Sequence, residues 1–252
     1  MRRGLLLLAV AVGTSGCGGA TPASATVART YSATVLADHP VAYWRMDETT
    51  GTTMADATAN ANNGHYGGIY TLGQPGAIGG GSAAVAFDGQ SGAASVLSST
   101  SLQVNTVTIE AWIKKRADTE YGVYVAKNVE PGGGAGSSWF QLLNSHHNGK
   151  LEFRVTSDGS PSLVSNSTLA LNTWYYVVAT YDGSTAKLYV NGKPDGTLKV
   201  TAVPKQTADP LFLGRRMDGL FNDAAFADVA IYPTALSADR IAAHWQAASG
   251  TH

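Results

Sequence analysis

Cysteine is nearly absent. The 252-residue chain has one, Cys17, so no disulfide can staple it internally. Charge is sparse as well: charged residues make up 14%, and 17 Lys and Arg stand against 18 Asp and Glu, for a formal net charge of −1. With no excess of Lys and Arg, the chain lacks the electrostatic footprint of a nucleic-acid binder. Beyond the N-terminal segment no apolar run approaches the length of about 18 residues that a membrane span needs. No Gly-x-Ser-x-Gly elbow and no His-Glu-x-x-His pair occurs. The glycine-rich stretches at 79–81 and 132–136 lack the Lys-Ser/Thr ending of a phosphate loop. What is present is 44% hydrophobic residues and 29 glycines. That is ordinary for a folded core and too apolar for a disordered chain. The length admits one large domain or two small ones.

The N-terminus reads as an address. Met1-Arg2-Arg3 is basic, and Leu5 to Val12 is a short apolar run that ends in Thr14-Ser15-Gly16-Cys17. Small residues before a cysteine, after such a run, indicate export and cleavage. The segment resembles the bacterial lipobox, with Thr14 where that motif usually has Leu. The resemblance implies a signal peptide over 1–16, lipidation of Cys17, and a secreted protein anchored by lipid to the cell envelope. Gly18, in place of Asp, implies the outer membrane in a Gram-negative cell. Residues 17–35 are small and polar and read as a flexible tether.

From residue 36 to 250 the pattern is that of one domain made of short strands. In Val107–Lys114, Ile109, Ala111 and Ile113 share one face while Glu110 and Trp112 share the other. Lys150–Val155 alternates with Leu151, Phe153 and Val155 inward. Trp174–Tyr181 is apolar on both faces, as in a central strand covered on both sides. Asn191-Gly192 suits a type I′ turn, whose central residues both need positive φ. Further strands are expected at 41–46, 83–87, 122–127, 138–143, 211–214 and 226–232. With no helices interposed, these argue for an all-β antiparallel sandwich of two sheets. Only the C-terminus reads as helical: Ser237 is a suitable N-cap, and Ile241, Trp245 and Ala248 form one stripe.

The same segments, taken in order, are similar to a known family. They are Pro40-Val-Ala-Tyr-Trp-Arg-Met-Asp-Glu48 with Gly51 and Asp56, Pro75-Gly-Ala77, Phe87-Asp-Gly89 and Thr108-Ile-Glu-Ala-Trp-Ile113. Asn172 to Gly183, Lys187 to Gly192, and Asp228-Val-Ala-Ile-Tyr232 with Ala235-Leu-Ser237 follow. The chain resembles the laminin G-like domain of the concanavalin A-like lectin/glucanase superfamily, a two-sheet jelly roll. Two departures stand out: Tyr176 where the family usually has His, and Ala227 where a second acidic residue is common before Asp228.

The resemblance implies three chemistries. Hydrolases of the superfamily carry several carboxylates on one strand face, where period-2 spacing aligns them. Here Glu110 has no such partner and reads as a structural residue hydrogen-bonded within the sheet. A structural Ca²⁺ is implied where the first loop meets the last strand. Asp56 and Asp228 are the carried-over ligands, with Asn60 and Asn63 beside them; an ion-free loop of Asx turns is the alternative. Carbohydrate binding is expected from Tyr121, Tyr124, Trp139, Asn144, His146 and Asn148, aromatic and amide groups in the part of the chain with the longest loops. Trp139 fits either the core or a ligand platform. The expected function is non-catalytic recognition of a carbohydrate or a cell-surface protein. An adhesion protein without a sugar site and a glycoside hydrolase of the same fold are the alternatives.

Overall fold

The computed structural model describes residue 1 and residues 31–78, 82–127, 139–146, 149–155, 161–202 and 206–249. The strands, in chain order, begin with β1 (Ala42–Trp44), β2 (Thr53–Met54), β3 (Gly64–Gly67), β4 (Tyr70–Pro75), β5 (Ala83–Asp88) and β6 (Ala93–Val96). Then come β7 (Val107–Lys115), β8 (Val123–Lys127), β9 (Phe140–Asn144), β10 (Lys150–Arg154) and β11 (Leu163–Thr168). The last are β12 (Tyr175–Tyr181), β13 (Thr185–Val190), β14 (Lys193–Lys199), β15 (Leu211–Leu213) and β16 (Asp223–Tyr232). Two helices, α1 (Tyr31–Ala37) and α2 (Ala238–Ser249), flank them.

The strands form two antiparallel sheets. The first runs β14-β13-β12-β7-β16-β5-β4, with β1 paired to β16; the second runs β11-β10-β9-β8-β15-β6-β3-β2. Alternation decides what each face meets. Ile109, Ala111 and Ile113 of β7 and Leu151 and Phe153 of β10 enter the core between the sheets. Glu110 is turned to the other side of β7, where Trp112, Tyr176 and Val178 pack beneath the helices with Tyr31, Val35 and Ile241. The first sheet is therefore covered on both faces, as the doubly apolar Tyr175–Tyr181 requires. Asn191 and Gly192 take φ of 51° and 74°, as a type I′ turn demands. A Cβ on Gly192 would also collide with Trp245 of α2.

Helix α1 corrects the reading of 17–35 as a tether throughout. Its first turn is part of the folded unit, because Tyr31 and Val35 are buried against the first sheet. Trp139, open from the sequence between core and ligand platform, is placed in the core. It is fully buried, edge-on to Phe140 and Tyr181, and its indole N–H finds no acceptor among the described residues. It fills the space between the sheets and offers no face to a ligand.

Glu110 ties the helices to the sheet. It is fully buried. Tyr31 donates to Oε1 at 2.6 Å and Tyr232 to Oε2 at 2.7 Å. His244 Nδ1 lies 2.9–3.1 Å from both oxygens, while its Nε2 lies 2.9 Å from Asp38 Oδ2. Carboxylate oxygens face both ring nitrogens, so both must donate, and the ring is an imidazolium. Burial alone would lower the His244 pKa, but the Glu110 and Asp38 carboxylates raise it on balance. Arg240 completes the set, its Nε 2.8 Å from Asp38 Oδ2.

Three expected outcomes follow from this packing. Glu110→Gln removes the buried one of the two carboxylates that hold the imidazolium and lowers stability by about 3–5 kcal/mol, measured by urea unfolding at pH 7. The His244 contribution is complete below its unfolded value of 6.5 and is lost as pH rises through its raised folded value. Asp228, pushed by burial to about 7, adds a separate loss that ends near that pH. The decline that His244 contributes, which starts at 6.5, is thus the part that Glu110→Gln flattens. Trp139→Ala costs about 3–5 kcal/mol through the cavity it leaves, seen as a large fall in melting temperature.

Candidate functional site

A cleft of about 220 Å³ opens where the β7–β8 loop meets the β9–β10 turn, lined by Asp118, Thr119, Glu120, Asn144, Ser145, His146 and Gly149. Its floor is built from the core outward. Tyr124 is buried between the sheets and donates from its hydroxyl to Asn144 Oδ1 at 2.7 Å. Asn144 Nδ2 donates to the Thr119 carbonyl and to Asn222 Oδ1. The amide is thereby locked, and it fixes the loop that carries Asp118 and Glu120. Lys115, buried at the end of β7, reaches Asp118 and the Gly149 carbonyl. Gly149 has φ of 79°, and a Cβ there would press on the Lys115 ammonium. Among the lining residues His146 carries the Tyr121 ring beside it, 5.5 Å away and tilted at 35°, and the Arg154 guanidinium sits 5.5 Å from the Tyr121 ring centre. Arg154 is itself held by Glu152 at 2.6 Å.

Three residues expected from the sequence to meet a ligand therefore fall in one neighbourhood, with Asn144 and His146 lining the cleft and Tyr121 against His146 at its edge. Tyr124 supports the floor from beneath and cannot itself be reached, which corrects its reading as a contact residue. Trp139 belongs to the core, and Asn148 and Cys17 lie outside the described residues. Asp118, Glu120, Lys115 and Arg154 escaped sequence reasoning. The available signal was the polar run at 116–120 directly after the longest alternating segment.

The cleft offers fixed acceptors and a flat ring surface. Asp118, Glu120 and the carbonyl oxygens can take hydroxyl protons, and the rings can receive C–H edges. Its two carboxylates come from one short loop, and Asp118 is engaged by Lys115. Glu110 is sealed in its clamp and does not line this cleft.

The residues carried over as calcium ligands do not fit a cation as they are arranged. Asp56 Oδ1 accepts the N–H groups of Tyr43 and Thr58, and its Oδ2 accepts the Thr58 hydroxyl and the Asn62 N–H. Asn63 Oδ1 accepts the Asp56 N–H, and Asn60 turns its amide nitrogen to the Val41 carbonyl. These are the bonds of a self-capping loop. Asp228 sits at a bulge of β16 with φ of 50° and receives the Tyr43 phenol. Asp56 holds the backbone end of Tyr43 and Asp228 its far end, so a tyrosine side chain separates the two carboxylates. Among the described residues no group of three or more His, Cys, Asp or Glu gathers to hold a metal.

Several known proteins share this architecture. Domain 4 of AbnA, an extracellular arabinanase of Geobacillus stearothermophilus solved with arabinotriose, superposes with a TM-score of 0.66 at 18% identity, covering 82% of this chain and 98% of that one. The binding domain of botulinum neurotoxin serotype D gives 0.62 at 16% identity, covering 83% of this chain and 52% of that one. The binding domain of botulinum neurotoxin DC in complex with SialylT gives 0.60 at 16%, covering 83% and 51%. The chain thus spans about half the length of these toxin domains. At such identities the likeness is one of fold. No curated protein matches the sequence. The family profile Laminin_G_3 matches residues 88–242, more than half of the chain and the whole course from β5 into α2. Paired sheets, their strand order and that match agree, and the chain belongs to the concanavalin A-like lectin/glucanases superfamily.

Proposed function

We propose that the chain is a non-catalytic recognition module that binds carbohydrate in the cleft of Asn144, His146 and Tyr121. The observation that carries this reading is the union, in one small cavity, of a locked amide floor and carboxylate acceptors, with the tilted His146–Tyr121 ring pair at its edge. Such a cleft complements a hydroxyl-rich ring with apolar edges. The arabinotriose held by the arabinanase domain, a neighbour of the same fold, is in keeping with it. Hydrolysis needs an acid and a second carboxylate placed on either side of a scissile bond. The engagement of Asp118 with Lys115 and the burial of Glu110 favour binding without turnover. The described residues of the cleft are held by protein hydrogen bonds, which supports binding that does not depend on Ca²⁺.

A second part of the proposal concerns place. The lipobox-like Thr14-Ser15-Gly16-Cys17 supports a module exported and tethered to the cell envelope through lipid on Cys17.

The tests are direct. On an array of neutral plant and bacterial oligosaccharides, the purified chain retains at least one glycan class in EDTA. Tyr121→Ala weakens retention roughly tenfold or more, as expected for losing a ring platform, with melting temperature nearly unchanged. Retention equal in Tyr121→Ala and wild type removes the cleft from the function, and release of reducing sugar turns the reading towards a hydrolase. For the anchor, Cys17→Ser moves the protein from the membrane fraction to the soluble one and abolishes labelling by a fatty-acid probe.

A further inference from the structure

We infer that the outer face of the second sheet carries another binding site, built around Arg215 and suited to the carboxylate-bearing ring of an acidic sugar. It lies apart from the Tyr121 cleft and does not depend on it. Strands β3, β6 and β15 lie side by side, and their register sets His65 opposite Ser95 and Ser95 opposite Phe212. Their neighbours Tyr66, Ala94, Val96, Leu211 and Leu213 enter the core, so by alternation His65, Ser95 and Phe212 form one outward row. This row floors a cavity of about 170 Å³ that Arg215 and Ser91 also line.

Arg215 is the organising group. Its guanidinium carbon lies 4.9 Å from the Phe212 ring centre and 5.1 Å from that of Phe221. Nε donates to the Arg216 carbonyl and Nη2 to the Met217 carbonyl, each at 2.9 Å. Two of five N–H groups are thus used to fix the plane, and the other three find no acceptor among the described residues. Its charge is matched only in part, because Asp218, whose pKa both arginines lower, serves two guanidinium groups. Asp218, the carboxylate beside it, is held by a two-pronged contact from Arg216, at 2.6 Å for each prong. Asp88, next to Ser91, is occupied by the N–H groups of Gln90, Ser91 and Gly92.

A planar guanidinium held between rings, with donors to spare, fits the two oxygens of a carboxylate. The Phe212 ring, the Ser95 hydroxyl and the His65 imidazole add the flat apolar and polar surfaces that a pyranose uses. The cavity is smaller than the roughly 300–1,000 Å³ of pockets for drug-sized ligands, so it takes one ring. A single cation, matched only in part, cannot hold an extended polyanion, which needs many phosphate contacts. The carboxylate rim of the Tyr121 cleft disfavours the same ligand there, so the two sites separate by charge.

The experiment titrates the full chain with methyl glucuronide, methyl glucoside and inorganic sulfate, followed by NMR shifts or calorimetry. The uronide binds roughly tenfold or more tightly than the neutral glycoside, and added salt narrows the gap. Arg215→Gln erases the preference. Ser95→Tyr, which fills the cavity and keeps the charge, abolishes uronide binding. Tyr121→Ala leaves it intact, so failure of the first cleft and failure of this one are told apart. Equal affinity for the two glycosides, a preference that survives Arg215→Gln, or full uronide binding by Ser95→Tyr overturns the assignment. Sulfate bound as tightly as the uronide also overturns it, as an adventitious ion only. The comparison of glycosides on the unaltered chain decides the matter even where a variant fails to fold.

Discussion

The buried pairing of Glu110 with His244 is the contact on which the arrangement of the molecule rests. A carboxylate in the middle of the central strand β7 is a liability unless every lone pair is met. Here two tyrosines and an imidazolium meet it. Each donor comes from a different element: α1, β16 and α2. One charge therefore gathers α1 and α2 onto the first sheet, and Asp38 and Arg240 balance the total so that no net charge stays inside. With that face closed by helices, ligand-accessible chemistry is displaced to the second sheet and its loops, where both clefts lie.

Much of the fold was legible because β-sheet alternation is a strict signal. The facing of Glu110 and Trp112 against Ile109 and Ile113, the doubly covered strand ending at Tyr181, the positive φ of Asn191 and Gly192, and the Ser237 cap all stand as read. The cap is visible in the bond from the Arg240 N–H to Ser237 Oγ. What escaped notice was short or polar. Gly64–Gly67 and Leu163–Thr168 carry Gly, Ser, Asn and Thr, residues that pattern reading assigns to loops. Helix α1 begins in a stretch rich in small and β-branched residues, with little intrinsic helix preference. What fixes it is a long-range bond from Tyr31 to Glu110, which no local window contains.

The candidate site divides in the same way. Tyr121, Asn144 and His146 were expected in one neighbourhood, and their convergence follows from the pairing of β8 with β9. Trp139 stands at the entry to its strand, where period-2 reading has no established phase, and so its direction was undetermined. Asp56 shows the limit of carrying ligands over from a resemblance. The same oxygen-rich composition that could hold a cation here closes on its own backbone. Arg215 lies in a run of two arginines whose difference is invisible in sequence: Asp218 takes one, and two rings take the other.

The lodging of α1 against α2 also sets a direction in space. Helix α1 begins at Tyr31, on the outer side of the first sheet, while His65, Phe212 and Arg215 look out from the outer side of the second. A chain held to a surface through its N-terminus would turn its helical back to that support. The clefts would then point into the medium, free to meet whatever drifts past.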